Sequence, residues 1–142
     1  MKDLFEIGIV FRGFVLIQTK FRELTKQTNS TTDKDLRGAF ISAINTFAEN
    51  IFANTSLEYL ESGNILFIFK IDKIKSSDSP QMEPVIMYGL VEKKKKSDKQ
   101  VKKYLEKVSP ILQLFIHKYT NADFTEIDQF TPFLNDVKAF FE

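Results

Sequence analysis

The sequence contains no cysteine and no tryptophan, and it has a single histidine among its 142 residues. The lack of cysteine excludes disulfides, cysteine-ligated zinc and thiol catalysis. One histidine cannot build a histidine-rich metal site. The net charge is only +1, so no global positive field draws the chain to nucleic acid. We therefore expect no nucleic-acid partner, and the lack of cysteine agrees with a reducing, cytoplasmic compartment.

Motifs for catalysis and cofactor binding are also missing from the sequence. It has no phosphate-binding glycine loop, no dinucleotide fingerprint, no zinc-protease motif and no nucleophile elbow. His117 is predicted to lie at the boundary of an apolar helix stripe. The acidic residues Asp3, Glu6, Asp72 and Asp78 are expected to be ordinary surface charges. We predict a protein without enzymatic activity, cofactor or metal.

The most apolar stretch lies near the N-terminus, where the runs IGIV and FVLI flank the pair Arg12-Gly13. A secretory signal needs about 7–15 unbroken apolar residues and a membrane span about 20, and charged residues interrupt this stretch too early for either. Two strands over 5–11 and 14–19, joined by a turn in which the glycine takes a positive φ, agree better with the pattern. We expect this hairpin at the centre of a sheet, with FVLI buried on both faces.

The rest of the chain alternates helical and strand patterns. The run ILFIF is typical of a strand covered on both faces, whereas LEYLE carries two glutamates and is suited to a sheet edge. Pro110 is expected to kink or split its helix near Ser109, and Pro132 to kink the last helix. The predicted elements after the hairpin are helix 34–52, strands 56–61, 65–71 and 84–91, and helices 98–119 and 123–142.

This order, β-β-α-β-β-β-α-α, predicts a single α+β domain over residues 1–142. Because ILFIF and FVLI are apolar on both faces, helices are expected on both sides of the sheet. The predicted architecture is a three-layer α/β/α sandwich around a five-stranded antiparallel sheet.

The order of elements resembles that of the longin domain across nearly the whole chain. The resemblance rests on the hairpin FEIGIVFRGFVLIQTKF, the helix DLRGAFISAINTFAENIF, the pair SLEYLESGNILFIFKID, the strand PVIMYGLV and two closing helices. It implies a sheet with the first helix on one face and the last two on the other. It also implies a non-enzymatic interaction module, either in membrane-traffic machinery or as a dimeric platform for small GTPases. Stand-alone proteins of this kind resemble those of archaea with eukaryote-like GTPase systems.

The predicted helix over 34–52 is apolar around more of its circumference than a sheet-facing helix needs. A stripe of just over about 100° is enough for a surface helix, and here the apolar arc spans roughly 220°. Either the polar loop over 22–35 covers the extra side, or a protein partner does. That partner is expected to be a second copy or another longin or roadblock protein. The predicted partner interface consists of Ile41, Asn45, Ala48, Phe52, Leu57 and Tyr59.

A run of lysines is the densest charge feature, and it continues onto the following helix. It is either a solvated helix face or a contact with an anionic membrane surface, where each lysine contributes about 1 kcal/mol. No aromatic residues interleave with the lysines, as a stacking platform for nucleic acid would require. The predicted anionic-surface contact consists of Lys93, Lys94, Lys95, Lys96 and Lys99.

A second interpretation of the same pattern is a small-ligand-sensing domain of the PAS or profilin-like kind. Such domains also combine a sheet with helices. This interpretation predicts a closed pocket of at least about 300 Å³, lined by phenylalanine and tyrosine side chains.

Overall fold

The structure, a computed structural model, describes residues 4–21 and 59–141. The predicted α+β class is confirmed, whereas the predicted helix over 34–52 lies outside the described residues. None of the described helices is long and apolar enough to cross a membrane. The described elements are β1 (Leu4–Phe11), β2 (Phe14–Lys20), β3 (Tyr59–Ser62), β4 (Ile65–Ile74), β5 (Glu83–Glu92), α1 (Ser97–Tyr119), a 3₁₀ helix (Ile127–Phe130) and α2 (Phe133–Phe141).

The strands form one antiparallel sheet in the order β2-β1-β5-β4-β3. The late strand β5 lies in the middle and pairs with β1 on one side and with β4 on the other. Four long strands make the body of the sheet, and the four-residue β3 pairs with one end of β4 at the edge. The edge position agrees with the prediction for LEYLE, since charged residues such as Glu61 are common on edge strands.

The burial predicted for the first hairpin is wrong for β2. Within the described sheet β2 is an edge strand, and Phe14 and Val15 are 66% and 37% exposed. Only Leu16, Ile17 and Thr19 of this strand are buried. An apolar run indicates that a segment avoids water, but strand order depends on distant pairing. Here β1 takes β5 as its second neighbour, and none of the described strands pairs with the outer side of β2.

One face of the sheet is covered by α1 and α2. The buried side chains of α1 recur at helical spacing and join those of the strands, the 3₁₀ helix and α2 in the main core. Each large apolar side chain buried in this way contributes about 1.5–3 kcal/mol. The buried residues of α1 are Val101, Tyr104, Val108, Ile111, Leu112 and Phe115.

The helix α1 continues through Pro110, so the split that we considered near Ser109 does not occur. A proline removes one backbone donor from the helix and normally kinks it. Here the Ser109 hydroxyl donates to the Leu105 carbonyl at 2.6 Å, as serine side chains within helices often do. Buried side chains before and after Pro110 hold both halves of α1 against the sheet.

The last predicted helix, over 123–142, is instead divided into the 3₁₀ helix and α2. The Asp123 carboxylate accepts hydrogen bonds from the backbone N–H and the hydroxyl of Thr125, at 3.0 and 2.6 Å. This local turn competes with a first helical turn. Pro132 then directly precedes α2, where its missing N–H costs no hydrogen bond.

Two glycines on the paired strands β1 and β5 let tyrosine rings lie against the backbone. A Cβ on Gly8 would overlap the ring of Tyr88, and a Cβ on Gly89 would overlap the ring and hydroxyl of Tyr104. Tyr104 belongs to the main core under α1, whereas Tyr88 belongs to a second cluster on the other face. The two glycines therefore allow close packing on both faces of the central strands.

The hydroxyls of these two tyrosines differ in their partners. Tyr88 donates to Oε2 of Glu6 at 2.7 Å. The Tyr104 hydroxyl has no hydrogen-bond partner, and it is the one such buried side-chain polar atom in the described part of the chain. Burial also raises the pKa of Tyr104 well above its usual range. An unpaired buried hydroxyl lowers stability, so the fold tolerates this group for the packing of its ring.

The substitution Tyr104→Phe is expected to raise the free energy of unfolding by about 1 kcal/mol, because it removes the unpaired hydroxyl and keeps the ring. Tyr88→Phe is the matched control. It should lower the free energy of unfolding by about 1.5–3 kcal/mol, because the buried Glu6 carboxylate loses a donor. Urea unfolding followed by circular dichroism measures both values. A fall in the free energy of unfolding for both variants would contradict the conclusion that the Tyr104 hydroxyl is unpaired.

Candidate functional site

The turn between β1 and β2 places an arginine where glycine or asparagine is preferred. Arg12 has a φ of 53° and Gly13 a φ of 79°, the positive pair of a type I′ hairpin turn. A residue other than glycine in this region costs about 1–3 kcal/mol. The contacts of the Arg12 side chain must offset that cost.

Those contacts form a clamp that we call the Arg12 clamp, made of Arg12, Ser76, Asp78 and Glu83. The guanidinium donates twice to Glu83, at 2.9 and 2.6 Å, and twice to Asp78, at 2.9 and 3.1 Å. It also donates to the hydroxyl of the buried Ser76 at 3.2 Å, and that hydroxyl donates to Asp78 at 2.5 Å. Bidentate pairs of this kind are strong and directional.

The clamp corrects the expectation that Asp78 is an ordinary surface charge. The hydrogen bonds from Arg12 and Ser76 hold the pKa of Asp78 well below its usual range. The hydrogen bonds to Glu83 and Asp78 raise the pKa of Arg12 above its usual value. Because two carboxylates already neutralise this arginine, it ties the hairpin to the β4–β5 loop and to the start of β5, and it is not a binding site for anions.

An apolar groove lies beside the clamp, with a volume of about 230 Å³ and an opening to solvent. It is bounded by the hairpin and by the segment that follows α1. Phe11 and Phe124 form its buried part, with 4.5 Å between the ring centroids. Phe14 and Ile127, which is 45% exposed, stand at its rim. We call this feature the β2 groove.

The two edges of the described sheet differ in how they are protected. At the β3 edge, Glu61 and Lys93 form an ion pair at 2.8 Å. The β2 edge has no charged side chain from Phe14 to Thr19, and it exposes Phe14 and Val15. Charges on an edge strand normally discourage pairing with another chain. The β2 edge therefore offers backbone donors and acceptors together with apolar side chains, which is the chemistry of strand addition.

Of the predicted partner interface, only Tyr59 falls within the described residues. Its ring packs partly against the main core, and its hydroxyl donates to Asp98 at 3.0 Å. That hydrogen bond raises the pKa of Tyr59 and ties β3 to the start of α1. The interface itself stays a prediction. The members outside the described residues are Ile41, Asn45, Ala48, Phe52 and Leu57.

The structure divides the predicted lysine contact into two groups. Lys93 pairs with Glu61 at 2.8 Å, and Lys94 pairs with Glu92 at 3.3 Å. These two lysines are therefore partly neutralised. The remaining three are exposed and have no acidic partner within 4 Å among the described residues; they are Lys95, Lys96 and Lys99.

One acidic residue is in a different environment from the one that we expected. Glu6 is 1% exposed, and it accepts hydrogen bonds from Tyr88 at 2.7 Å and from Gln18 at 2.6 Å. The prediction of a surface charge is wrong here, because the second face of the sheet is buried as well as the first. A glutamate inside an otherwise apolar strand was the signal for a buried polar cluster.

The described residues do not bring together a constellation of ionisable groups typical of an active site. His117 is exposed on α1. Within residues 4–21 and 59–141, no group of three or more histidine, cysteine or acidic side chains could hold a metal ion. The reasoning from sequence missed the β2 groove and the Arg12 clamp. An arginine at a turn position that favours asparagine or glycine was the local signal for the clamp.

The chain matches no protein-family model, no curated protein and no solved structure.

The stability that the Arg12 clamp provides should depend on pH. Since the pKa of Asp78 is lowered on folding, its carboxylate stabilises the folded state above the ordinary aspartate pKa, about 4, and this contribution is lost as the pH falls below that value. Asp78→Asn should therefore be less stable than the wild type at pH about 6, and the difference should shrink towards pH about 3.

Urea unfolding at several pH values measures this difference. Asp128→Asn is the matched control, because Asp128 is exposed and has no side-chain partner among the described residues. Its stability should stay close to that of the wild type at each pH. A difference for Asp78→Asn that does not change with pH would show that the Asp78 charge contributes no stability.

Proposed function

We propose that this chain is a non-catalytic protein-interaction module with a longin-like architecture, acting in the cytoplasm as a dimeric platform for small GTPases or membrane-traffic machinery. The observation that carries the proposal is the β2 groove on an edge strand that has no charged side chain from Phe14 to Thr19. Phe14 is largely exposed there, beside backbone groups that a further strand can pair with. Exposed apolar surface of this kind is typical of protein interfaces.

The proposed architecture has three layers, and the strand order supports it. Four successive antiparallel pairings make β2 and β3 parallel, at opposite edges of the sheet. A connection between parallel strands crosses over a face of the sheet and usually contains a helix. Since α1 and α2 cover the first face, we assign the second face to the helix predicted over 34–52.

The burial of the second face supports the same arrangement. Among the described residues, the cluster on this face consists of strand side chains alone, and they are shielded from solvent. They need a covering layer. The cluster consists of Phe5, Val10, Phe67, Phe69, Ile86, Tyr88 and Leu90.

The partner strand is proposed to lie along β2 and to insert an apolar side chain into the β2 groove. Main-chain hydrogen bonds would give affinity, and the groove would select the side chain. In a dimer related by a two-fold axis through Ile17, the antiparallel pairing of two β2 strands places Phe14 opposite Lys20 of the second copy. No like charges face each other in this register, so β2 is compatible with its own copy.

A platform needs a separate surface for each partner, and the two edges of the sheet provide two such surfaces. Of the predicted partner interface, Tyr59 lies on β3, and the β2 groove is at the opposite edge of the sheet. Although the sequence predicted a second copy or another longin or roadblock protein at that interface, we assign self-association to the β2 edge and the small GTPase to the β3 side. The β2 groove does not favour the ligand-sensing interpretation, because about 230 Å³ of partly open space is less than the closed pocket of at least about 300 Å³ that it predicts.

The substitution Phe14→Asp should convert a wild-type dimer into a folded monomer, because it places a charge in the proposed strand pairing. Met82→Asp is the matched control: Met82 is 58% exposed and does not line the β2 groove. Light scattering gives the solution mass, and circular dichroism checks the fold. A monomeric wild type, or a dimer that survives Phe14→Asp, would remove self-association through β2.

The double variant Ile41→Asp/Phe52→Asp tests the partner interface that was predicted from the sequence. It should remain a dimer and lose binding to small GTPases, measured by pull-down with purified GTPases in both nucleotide states. A folded monomer in this variant would move the dimer interface to the first helix. Failure of the wild type to retain any GTPase would remove that part of the proposal.

A further inference from the structure

We propose that the lysines around the start of α1 form a docking surface for an anionic lipid membrane. Residues 93–107 contain eight lysines and two carboxylates, a local net charge of +6. Because the whole chain has a net charge of +1, the remaining residues carry −5. This separation gives the molecule a positive end, which an anionic surface attracts and orients.

Besides Lys107, whose ammonium group lies over the ring of Phe141, five of these lysines are exposed and have no acidic partner among the described residues. Two precede the helix and three lie in its first two turns. The three helical lysines are neighbours at spacings of three and four residues, on the side of α1 opposite its buried stripe. We call this set the lysine surface: Lys95, Lys96, Lys99, Lys102 and Lys103.

The position of the lysine surface is unfavourable for the helix itself. The start of a helix carries a partial positive charge, which favours acidic residues and disfavours cations. Lys96 is at the N-cap and makes no capping hydrogen bond through its side chain. Asp98 is the acidic residue of the first turn, and it already accepts a hydrogen bond from Tyr59. Because the lysines repel both one another and the helix dipole, binding explains their placement better than folding does.

The chemistry of the lysine surface favours lipid headgroups over a macromolecule. Protein interfaces depend on buried aromatic or arginine anchors and are depleted in lysine. Single-stranded nucleic acid needs exposed aromatic rings for stacking, whereas Tyr104, the nearest aromatic residue on α1, is buried. Lysines act as point charges without a fixed geometry. A fluid layer of anionic headgroups requires only positive point charges, without a fixed geometry.

Co-sedimentation with vesicles tests the proposal on the intact chain. The wild type should bind phosphatidylcholine vesicles that contain about 30% phosphatidylserine and should not bind phosphatidylcholine alone. Binding should weaken at least about tenfold between about 50 and 300 mM salt, because exposed charges are screened. Equal binding to both vesicles, or none to either, would overturn the proposal. Tighter binding to a short single-stranded RNA than to the anionic vesicles would also overturn it.

Two triple variants with the same change in net charge locate the contact. Lys95→Gln/Lys96→Gln/Lys99→Gln should reduce the partition onto anionic vesicles by about a hundredfold, at about fivefold for each lysine. Lys73→Gln/Lys118→Gln/Lys138→Gln removes three exposed lysines elsewhere and should reduce it less than about tenfold. Equal losses of vesicle binding in the two triple variants would show that net charge alone, and not the lysine surface, attracts the protein to the membrane.

Thermal unfolding separates binding from folding. The first triple variant should melt at the same temperature as the wild type or higher, since it removes cations from the positive end of the helix. Loss of vesicle binding together with a lower melting temperature would indicate a structural role for these lysines and would overturn the proposal.

Discussion

The rest of the structure depends on the pairing of β5 between β1 and β4. This strand is buried on both faces from Val85 to Val91, and it follows the first hairpin by more than sixty residues. With β5 beside β1, β2 has β1 as its one neighbour among the described strands and lies at the edge of the described sheet. The glycine at position 89 lets Tyr104 approach β5 closely, and Tyr88 covers Gly8 on the other face. The pairing of β5 with β1 therefore brings together the two glycines against which both tyrosine rings pack.

Local patterns were enough to predict most of the elements but not their order in the sheet. Alternating and helical periodicities gave the strands and the long helix α1 to within a few residues. The edge position of β2 was missed because Phe14 and Val15 are as apolar as the residues of a central strand. Whether a strand has neighbours on both sides depends on pairing between distant segments, and the local pattern of Phe14 and Val15 carries no information on that pairing.

The candidate sites also differ in whether a local pattern in the sequence could reveal them. The lysine surface was visible in the sequence, because charge density is a local property. The division of the lysine run into paired and unpaired residues was not visible, since Lys93 pairs with Glu61 on β3 and Lys94 pairs with Glu92 at the end of β5. The Arg12 clamp joins residues that are 64 to 71 positions apart, so no spacing rule could have found it. The predicted interface on the helix over 34–52 stays a prediction.

The two proposed surfaces lie on different sides of the molecule. The β2 groove is at one edge of the sheet. The start of α1 is tied to the other edge, because Tyr59 on β3 binds Asp98 and Glu61 on β3 binds Lys93. A protein bound along β2 would therefore not cover the lysine surface. A membrane contact and a protein contact could be made at the same time, as a platform at a membrane requires.

The Arg12 clamp also has a consequence for folding kinetics. The hairpin of β1 and β2 is local and can form early, whereas Asp78 and Glu83 reach Arg12 only after the loop that brings β5 to β1 has closed. Contacts between such distant residues are expected to form after the transition state for folding. The clamp would then affect mainly how fast the native protein opens and hardly at all how fast it forms. An ion network at the tip of a hairpin would in this way lengthen the lifetime of the folded sheet.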